Sequence, residues 1–442
     1  MSKKFRDWLF LAFLFLFIIM SIITSLFASG YRFNLSWPLR FDQLLQKTGT
    51  LVIATSPKNA FIFLDDRLQK QTAFSLMKKD YISTPAKIKN LLPGEYFLRL
   101  EKENYWPLER KIKIESGQTT FAENINLFLT DLPILIQAST SSLISLSADK
   151  DYLYLQNSGK IVDLKSGLES PLSATSEARP YWLGNGGRLF TNGLIIDLNR
   201  GTSLDIAAAI GSDISDWQYS SSDDRIYYSR PGSISRLETD NKTSKIIAQG
   251  ENYLTYEPRN DKIFFVVISD GKIWLRGQTI DGGERAGELE LPNAGNYQFC
   301  TGNEKYLCLY DNNNATLYLI NPNNWNDAAI IKNAKNWSWI NDNELIYNDA
   351  WEISIFKLNS NSSNLITRFS EPISEVIWNK DGNYFIFSTD TSIHIGDSKN
   401  AETITIFKTE KVGPMVLDEK NNLLYFYAKI NQQEGIHKLQ LQ

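Results

Sequence analysis

Two histidines, His394 and His437, and two cysteines, Cys300 and Cys308, are the whole supply of imidazole and thiol chemistry in this 442-residue sequence. A zinc site or a nucleophile–base pair needs such groups at matched spacing, and the chain contains no H-E-x-x-H, C-x-x-C or G-x-S-x-G run. The histidines occupy equivalent places, SIHIG and GIHKL, and read as strand residues on a sheet face. No catalytic residue, metal-ligand set or cofactor site is therefore expected. Asp311-Asn312-Asn313-Asn314 and Asn341-Asp342-Asn343-Glu344 are oxygen-rich and could hold calcium, but neither follows the EF-hand order and such runs are ordinary turn content. Gly184-Asn185-Gly186-Gly187 lacks the helix that follows a phosphate loop and reads as a hairpin turn. Cys300 and Cys308 flank a turn, which leaves a cross-strand disulfide and a pair of free, buried thiols both open.

The elements around these residues repeat. Aligning one inner-strand position gives Ile144, Trp182, Trp217, Tyr256, Phe299, Trp339, Trp378 and Leu417, at separations of 38, 35, 39, 43, 40, 39 and 39. Each unit carries an apolar strand, a turn rich in Asp, Asn and Gly, and further short strands, as in SEVIWNKDGNYFIFSTDTSIHIGDSKNAETITIF. The predicted fold is all-β, with a β-propeller of eight four-stranded blades over residues 130–442, or seven if the second unit is an insertion. The last unit lacks a fourth strand, and an open edge in a ring is a liability. Residues 132–137, LPILIQ, are expected to pair with the C-terminal strand. The aligned tryptophans are expected in the core, where a large buried side chain contributes about 1.5–3 kcal/mol. Trp325, Trp337 and Trp351 fall outside the aligned position and are the candidate exposed contacts.

Ahead of the repeats, residues 8–28 (WLFLAFLFLFIIMSIITSLFA) carry no charge and, at about 1.5 Å per residue, can cross a hydrocarbon core of about 30 Å. A signal peptide has an apolar region of about 7–15 residues, so the length favours an uncleaved anchor, although Ala28 and Gly30 leave a cleavage site. Trp8, Tyr31 and Trp37 suit the membrane interface. Lys3, Lys4 and Arg6 favour a cytoplasmic tail over residues 1–7, while Arg32, Arg40 and Lys47 dilute that bias. Residues 29–47 then form a juxtamembrane spacer, and residues 31–442 are expected outside the cytoplasm. The formal charge of −4 divides into +4 over 1–47, +3 over 48–129 (12 basic, 9 acidic) and −11 over 130–442 (28 basic, 39 acidic). An acidic major domain repels phosphate backbones, so nucleic acid is not an expected partner.

Between anchor and repeats, residues 48–129 alternate apolar and polar residues over several short strands, which predicts a small antiparallel β-sandwich. Ser56-Pro57-Lys58-Asn59-Ala60, then Thr84-Pro85-Ala86-Lys87-Ile88 and Leu91-Leu92-Pro93-Gly94-Glu95-Tyr96, resemble the PEGA domain. Asn59 stands where that family has Gly, a tolerable change because Asn visits positive φ. The repeats resemble TolB-like and WD40-like propeller units, without the G-H and W-D signature. The PEGA resemblance implies a structural or adhesive module at the cell surface and no active site. The expected function is that of a membrane-tethered, non-enzymatic protein whose propeller recognises an envelope protein or a polysaccharide. The alternative is a propeller lyase or hydrolase acting on surface glycan through paired Asp or Glu carboxylates.

Overall fold

The computed structural model describes residues 3–34, 44–70, 81–139, 143–156, 158–171, 180–184, 186–211, 213–238, 243–399 and 401–442. Trp37, Arg40 and Asn185 lie outside them, as does the segment 71–80 ahead of Thr84. The chain divides into one unit of Met1–Asp131 with Leu441–Gln442 and a second of Leu132–Gln440.

The first unit begins with a helix, Lys3–Ala28. Over Phe5–Ala28, 24 residues or about 36 Å, none of it is buried, and Phe10, Phe15 and Phe17 stand exposed. This is the length and composition of a membrane anchor or signal sequence. Thr24 donates its hydroxyl to the Met20 carbonyl at 2.7 Å, so it presents no free donor to an apolar medium. The expected spacer is partly structured: Tyr31–Phe33 pairs antiparallel with Leu45–Lys47.

Gly49–Ser56 buries alternate residues and is the middle strand of a three-stranded sheet. A second sheet has the order Arg67–Leu68, Phe61–Leu64, Gly94–Glu101, Leu108–Ile114. Leu51, Ile53, Ile62, Leu98 and Leu100 are fully buried in one core. One pairing departs from the antiparallel expectation: Gly49–Ser56 runs parallel to Thr119–Asn126. The preceding strand, Leu108–Ile114, belongs to the other sheet, so the chain crosses between sheets and no hairpin imposes an antiparallel direction.

The two proline-bearing motifs are tied together. Ser56–Pro57 and Thr84–Pro85 are both cis, and Asn59 has φ of 68°. Thr55 gives its hydroxyl hydrogen to the Pro57 carbonyl at 2.7 Å, so the buried Thr84 hydroxyl donates to Thr55 Oγ1 at 2.5 Å while accepting the Ala60 N–H at 3.1 Å. Thr84→Val keeps the shape and strands that amide. We expect a loss of about 1–3 kcal/mol, read as a lower midpoint in chemical denaturation of the full chain. An unchanged midpoint would show that water replaces the hydroxyl.

The second unit contains eight four-stranded antiparallel sheets among the described residues. The first strand of each in chain order is Ile144–Leu146, Tyr181–Leu183, Asp216–Ser220, Asn252–Arg259, Tyr297–Cys300, Asn336–Asn341, Ile373–Asn379 and Lys411–Asp418. All eight aligned positions fall on these strands, which are the inner ones of a propeller. Neighbouring inner strands are linked around the ring. Trp182 Nε1 donates to Ser145 Oγ at 3.0 Å, the Tyr181 hydroxyl to Gln218, the Tyr256 hydroxyl to the Asp216 carbonyl at 3.2 Å, and Trp339 Nε1 to the Thr301 carbonyl at 3.0 Å. The Trp378 N–H donates to Ser338 Oγ at 3.1 Å and the Met415 N–H to Glu375 Oε2 at 2.8 Å. Contacts join the fourth strand to the fifth and the eighth back to the first.

The eighth sheet takes its outer strand from ahead of the first repeat, as the unfinished last repeat requires. Ile134–Ala138 pairs with Gln433–Gln440, matching Ile134 to Lys438 and Ala138 to Gly435. The polar turns organise themselves. Ser147 Oγ bonds Asp149 at 2.5 Å and accepts the Tyr152 N–H at 2.9 Å. Asp311, fully buried, accepts the N–H groups of Asn296 and Asn313 and the Asn314 carboxamide. In the second run, Asn341 accepts the Asn343 N–H at 2.9 Å and donates its side-chain amide to Glu344 at 3.0 Å. These oxygens are committed to their own turns, and no group of three or more His, Cys, Asp or Glu side chains converges among the described residues.

Candidate functional site

The inner strand Asn336–Asn341, NWSWIN, alternates aromatic and polar residues, and a strand sends alternate side chains to opposite faces. Trp337 and Trp339 therefore turn toward the fifth sheet. Trp337 packs on Tyr310 with ring centroids 5.0 Å apart. Asn336 and Ser338 turn toward the seventh sheet, where they accept the N–H groups of Val376 at 3.2 Å and Trp378 at 3.1 Å. One strand thus forms a wall of two cavities.

The first cavity, about 520 Å³, lies between the fifth and sixth sheets. Tyr310, Trp337 and Trp339 supply aromatic surface, while Gln298 and Thr301 supply an amide and a hydroxyl. Lys335 is the charged residue of its lining, which contains no carboxylate. Cys300 also lines it and is bonded to Cys308, with Cα atoms 5.0 Å apart at directly opposed positions in register. That register brings the two sulfurs within bonding reach and ties the first two strands of the fifth sheet together.

The second cavity, about 510 Å³, runs along the inner strands of the first, sixth, seventh and eighth sheets and the turns after them. It holds two carboxylates, Glu375 and Glu419, and two lysines, Lys150 and Lys380. Burial pushes the Glu375 carboxyl up to about 7, against the pull of the Met415 N–H that it accepts. Glu419 accepts the Lys380 N–H at 3.2 Å.

The three candidate contacts separate. Trp337 is half-buried and not exposed as expected, and it lines the first cavity. Trp351 is exposed, in the turn between Glu344–Asn348 and Glu352–Lys357, and is not among the lining residues of either cavity. Trp325 is corrected: it is half-buried, 6.0 Å from the Phe264 ring. Gly277 and Gly287 face each other in register and leave the gap its indole fills, so that a Cβ at Gly287 would lie 2.2 Å from Trp325 Nε1. Two glycines opposed across neighbouring strands were the signal for this packing. Among the aligned tryptophans, Trp217 and Trp378 are buried, whereas Trp182 and Trp339 are half-buried. Trp339, expected in the core, lines the first cavity instead, and Glu375, Lys335 and Gln298 are lining residues that sequence reasoning passed over; the W-x-W spacing on an inner strand was the available clue.

Both histidines are buried on equivalent third strands. His394 stacks on Phe387 at 4.7 Å, with Nε2 at 2.7 Å from Ser392 Oγ and Nδ1 at 3.0 Å from Thr405 Oγ1. Burial holds its pKa down at about 4. His437 stacks on Phe426, donates Nδ1–H to the Gly435 carbonyl at 3.1 Å, and has its pKa lowered by burial.

Residues 48–127 match the PEGA domain family. No curated protein matches the chain. Solved structures that resemble it include Kluyveromyces lactis Hsv2p (13% identity, 52% of this chain and 75% of that one, TM-score 0.36) and the Neurospora crassa Pan2 WD40 domain (11%, 67% and 87%, 0.38). The dihydro-heme d1 dehydrogenase NirN in complex with DHE is a third (11%, 69% and 74%, 0.43). At these identities and scores nothing about ligand or activity carries over. The chain is a PEGA domain joined to a β-propeller, behind an apolar N-terminal helix.

Proposed function

We propose that this protein is a membrane-tethered, non-enzymatic binding protein whose propeller stands outside the cytoplasm and recognises an envelope protein or glycan. The observation that carries this reading is the aromatic and amide-lined cavity beside the Asn336–Asn341 strand, whose about 520 Å³ falls in the range of small-ligand sites, about 300–1,000 Å³. An exposed apolar helix supports the tether, and a PEGA domain supports the surface location. The Cys300–Cys308 bond supports an oxidising compartment, because reducing cytosol keeps thiols free.

The test uses the full chain in detergent micelles as bait for envelope extract, with Trp337→Ala as comparison. A defined protein or glycan retained by the wild type and lost in the variant is the expected result. Retention of nothing, or equal retention by both, would count against the reading. Thiol labelling of the protein isolated from its own cells should find both cysteines blocked until a reductant is added; two freely labelled thiols would count against the extracytoplasmic location.

A second reading has one observation in its favour. Glu375 and Glu419 share a cavity, and a carboxyl raised to about 7 suits a general acid at neutral pH. On that reading the propeller cleaves surface glycan, and Glu375→Gln abolishes hydrolysis of added envelope polysaccharide.

A further inference from the structure

The cavity between the fifth and sixth sheets can be assigned a ligand class from its own chemistry. The rings of Tyr310, Trp337 and Trp339 beside the Gln298 amide, the Thr301 hydroxyl and the Lys335 ammonium suit a ligand with a C–H-rich face and a polar, hydroxyl-bearing rim. An acyl chain would cover the Gln298 amide and the Lys335 ammonium without pairing them, at a cost that argues against lipid. Two polar side chains of the lining, the Gln298 carboxamide and the Lys335 ammonium, have no hydrogen bond or ion pair among the described residues, and both are exposed. They are the groups left over for a ligand.

Charge narrows the class. Residues 130–442 carry 28 basic and 39 acidic residues, and that net charge would disfavour an anion if it acted at long range. At physiological ionic strength, however, exposed charges are screened beyond about 8 Å, so the residues at the mouth decide. The lining offers Lys335 and no Asp or Glu. An amine-bearing ligand would meet a like charge there, whereas a carboxylate would meet its counter-ion.

We propose that this cavity holds a sugar ring bearing one carboxylate, of the uronic acid type, stacked against Trp337 with Gln298 on its hydroxyls and Lys335 on its acid. The inference rests on the binding-protein reading and names the class of glycan. Cys300, bonded to Cys308, holds the opposite wall in place.

The experiment titrates the full chain, in a detergent without a sugar headgroup, with a uronic acid tetrasaccharide and a neutral hexose tetrasaccharide in about 0.15 M salt, read by tryptophan fluorescence and calorimetry. The wild type should prefer the uronate. Trp337→Ala should weaken it about tenfold or more, while Trp337→Phe, which keeps a ring beside Tyr310, should retain most of the affinity. Lys335→Gln should shrink the preference for the acidic ligand by about two- to fivefold, the range of an exposed ion pair, with the neutral ligand unaffected. Circular dichroism and the unfolding midpoint identify a variant that has merely unfolded. Uronate binding that survives in folded Trp337→Ala would overturn the site, and equal binding of the two tetrasaccharides would overturn the charge assignment. If neither binds while an envelope protein is captured in a Trp337-dependent way, the sugar assignment fails and the binding-protein reading stands. If nothing is captured, both fail.

Discussion

Replacing Gly435 by valine is expected to detach the strand that closes the propeller. Gly435 lies opposite Ala138 in the pairing of Gln433–Gln440 with Ile134–Ala138. A Cβ there would sit 2.2 Å from the Gln137 carbonyl oxygen, 2.8 Å from Leu135 Cδ1 and 3.0 Å from Ala138 Cα. Two of these atoms are backbone, which cannot swing aside as a side-chain tip can, so the outer strand must move away and surrender its ladder. Overpacking at such a contact costs about 1–3 kcal/mol, and the upper end is expected here because the strand joins the two ends of a ring. Urea denaturation should show a lower midpoint, and limited proteolysis should open a site near residue 134. Gly435→Ala should do the same more mildly. A valine variant with wild-type midpoint and wild-type protection would mean that the ring is not closed by this strand.

The second large effect is a pair of opposed pH dependences inside the propeller. His394 is buried with its pKa held at about 4, against 6.5 for the free side chain. Between those values the unfolded chain binds the extra proton, so stability is present above pH 6.5 and is lost as the pH falls toward 4, by about 3 kcal/mol for a gap of this size. Glu375 works the other way. Its carboxyl is raised from 4.5 to about 7, so the folded state holds the proton, and its contribution is present below pH 4.5 and lost as the pH rises to 7. The two windows overlap and partly cancel in the wild type. Glu375→Gln should therefore unmask a steep acid sensitivity, and His394→Gln should leave a protein that gains stability on mild acidification relative to the wild type. Urea midpoints at pH values from 4 to 8 for the wild type, both single variants and the double variant check this. Parallel profiles for all four proteins would show that neither burial is felt. The same measurement bears on function, since a Glu375 that titrates near 7 is the group the hydrolase reading needs.

How much of this was legible in the sequence depended on the distance over which the signal acts. The apolar run of residues 8–28 is a local property, and it is the exposed helix found at Phe5–Ala28. The two proline motifs are local too. Asn59 adopts the positive φ that its place in the PEGA pattern calls for. The aligned positions from Ile144 to Leu417 mark inner strands because each repeat spells out its own period-two strands and self-bonding turns. Even the closing strand was readable, since an unfinished last repeat and an unassigned strand ahead of the first are complementary facts.

Relations between repeats were not readable in this way. Trp325 looked free because it stood outside the alignment, but the space it fills is made by Gly277 and Gly287 on two strands of the preceding sheet. Whether Cys300 and Cys308 bond depended on strand register, which set them directly opposite one another. The parallel course of Thr119–Asn126 followed from a crossover between sheets. The candidate site is the extreme case. Its walls come from strands about 40 residues apart, and the side chains of NWSWIN acquire their two different roles only when sheets stand on both sides of that strand. The sequence by itself determined the anchor-like helix, the PEGA motifs and the repeating strands, because alternation and turn chemistry act within a few residues. Tertiary structure alone decided which tryptophans are covered, that the cysteines meet, and where a cavity opens, because those depend on packing between elements that no local pattern encodes.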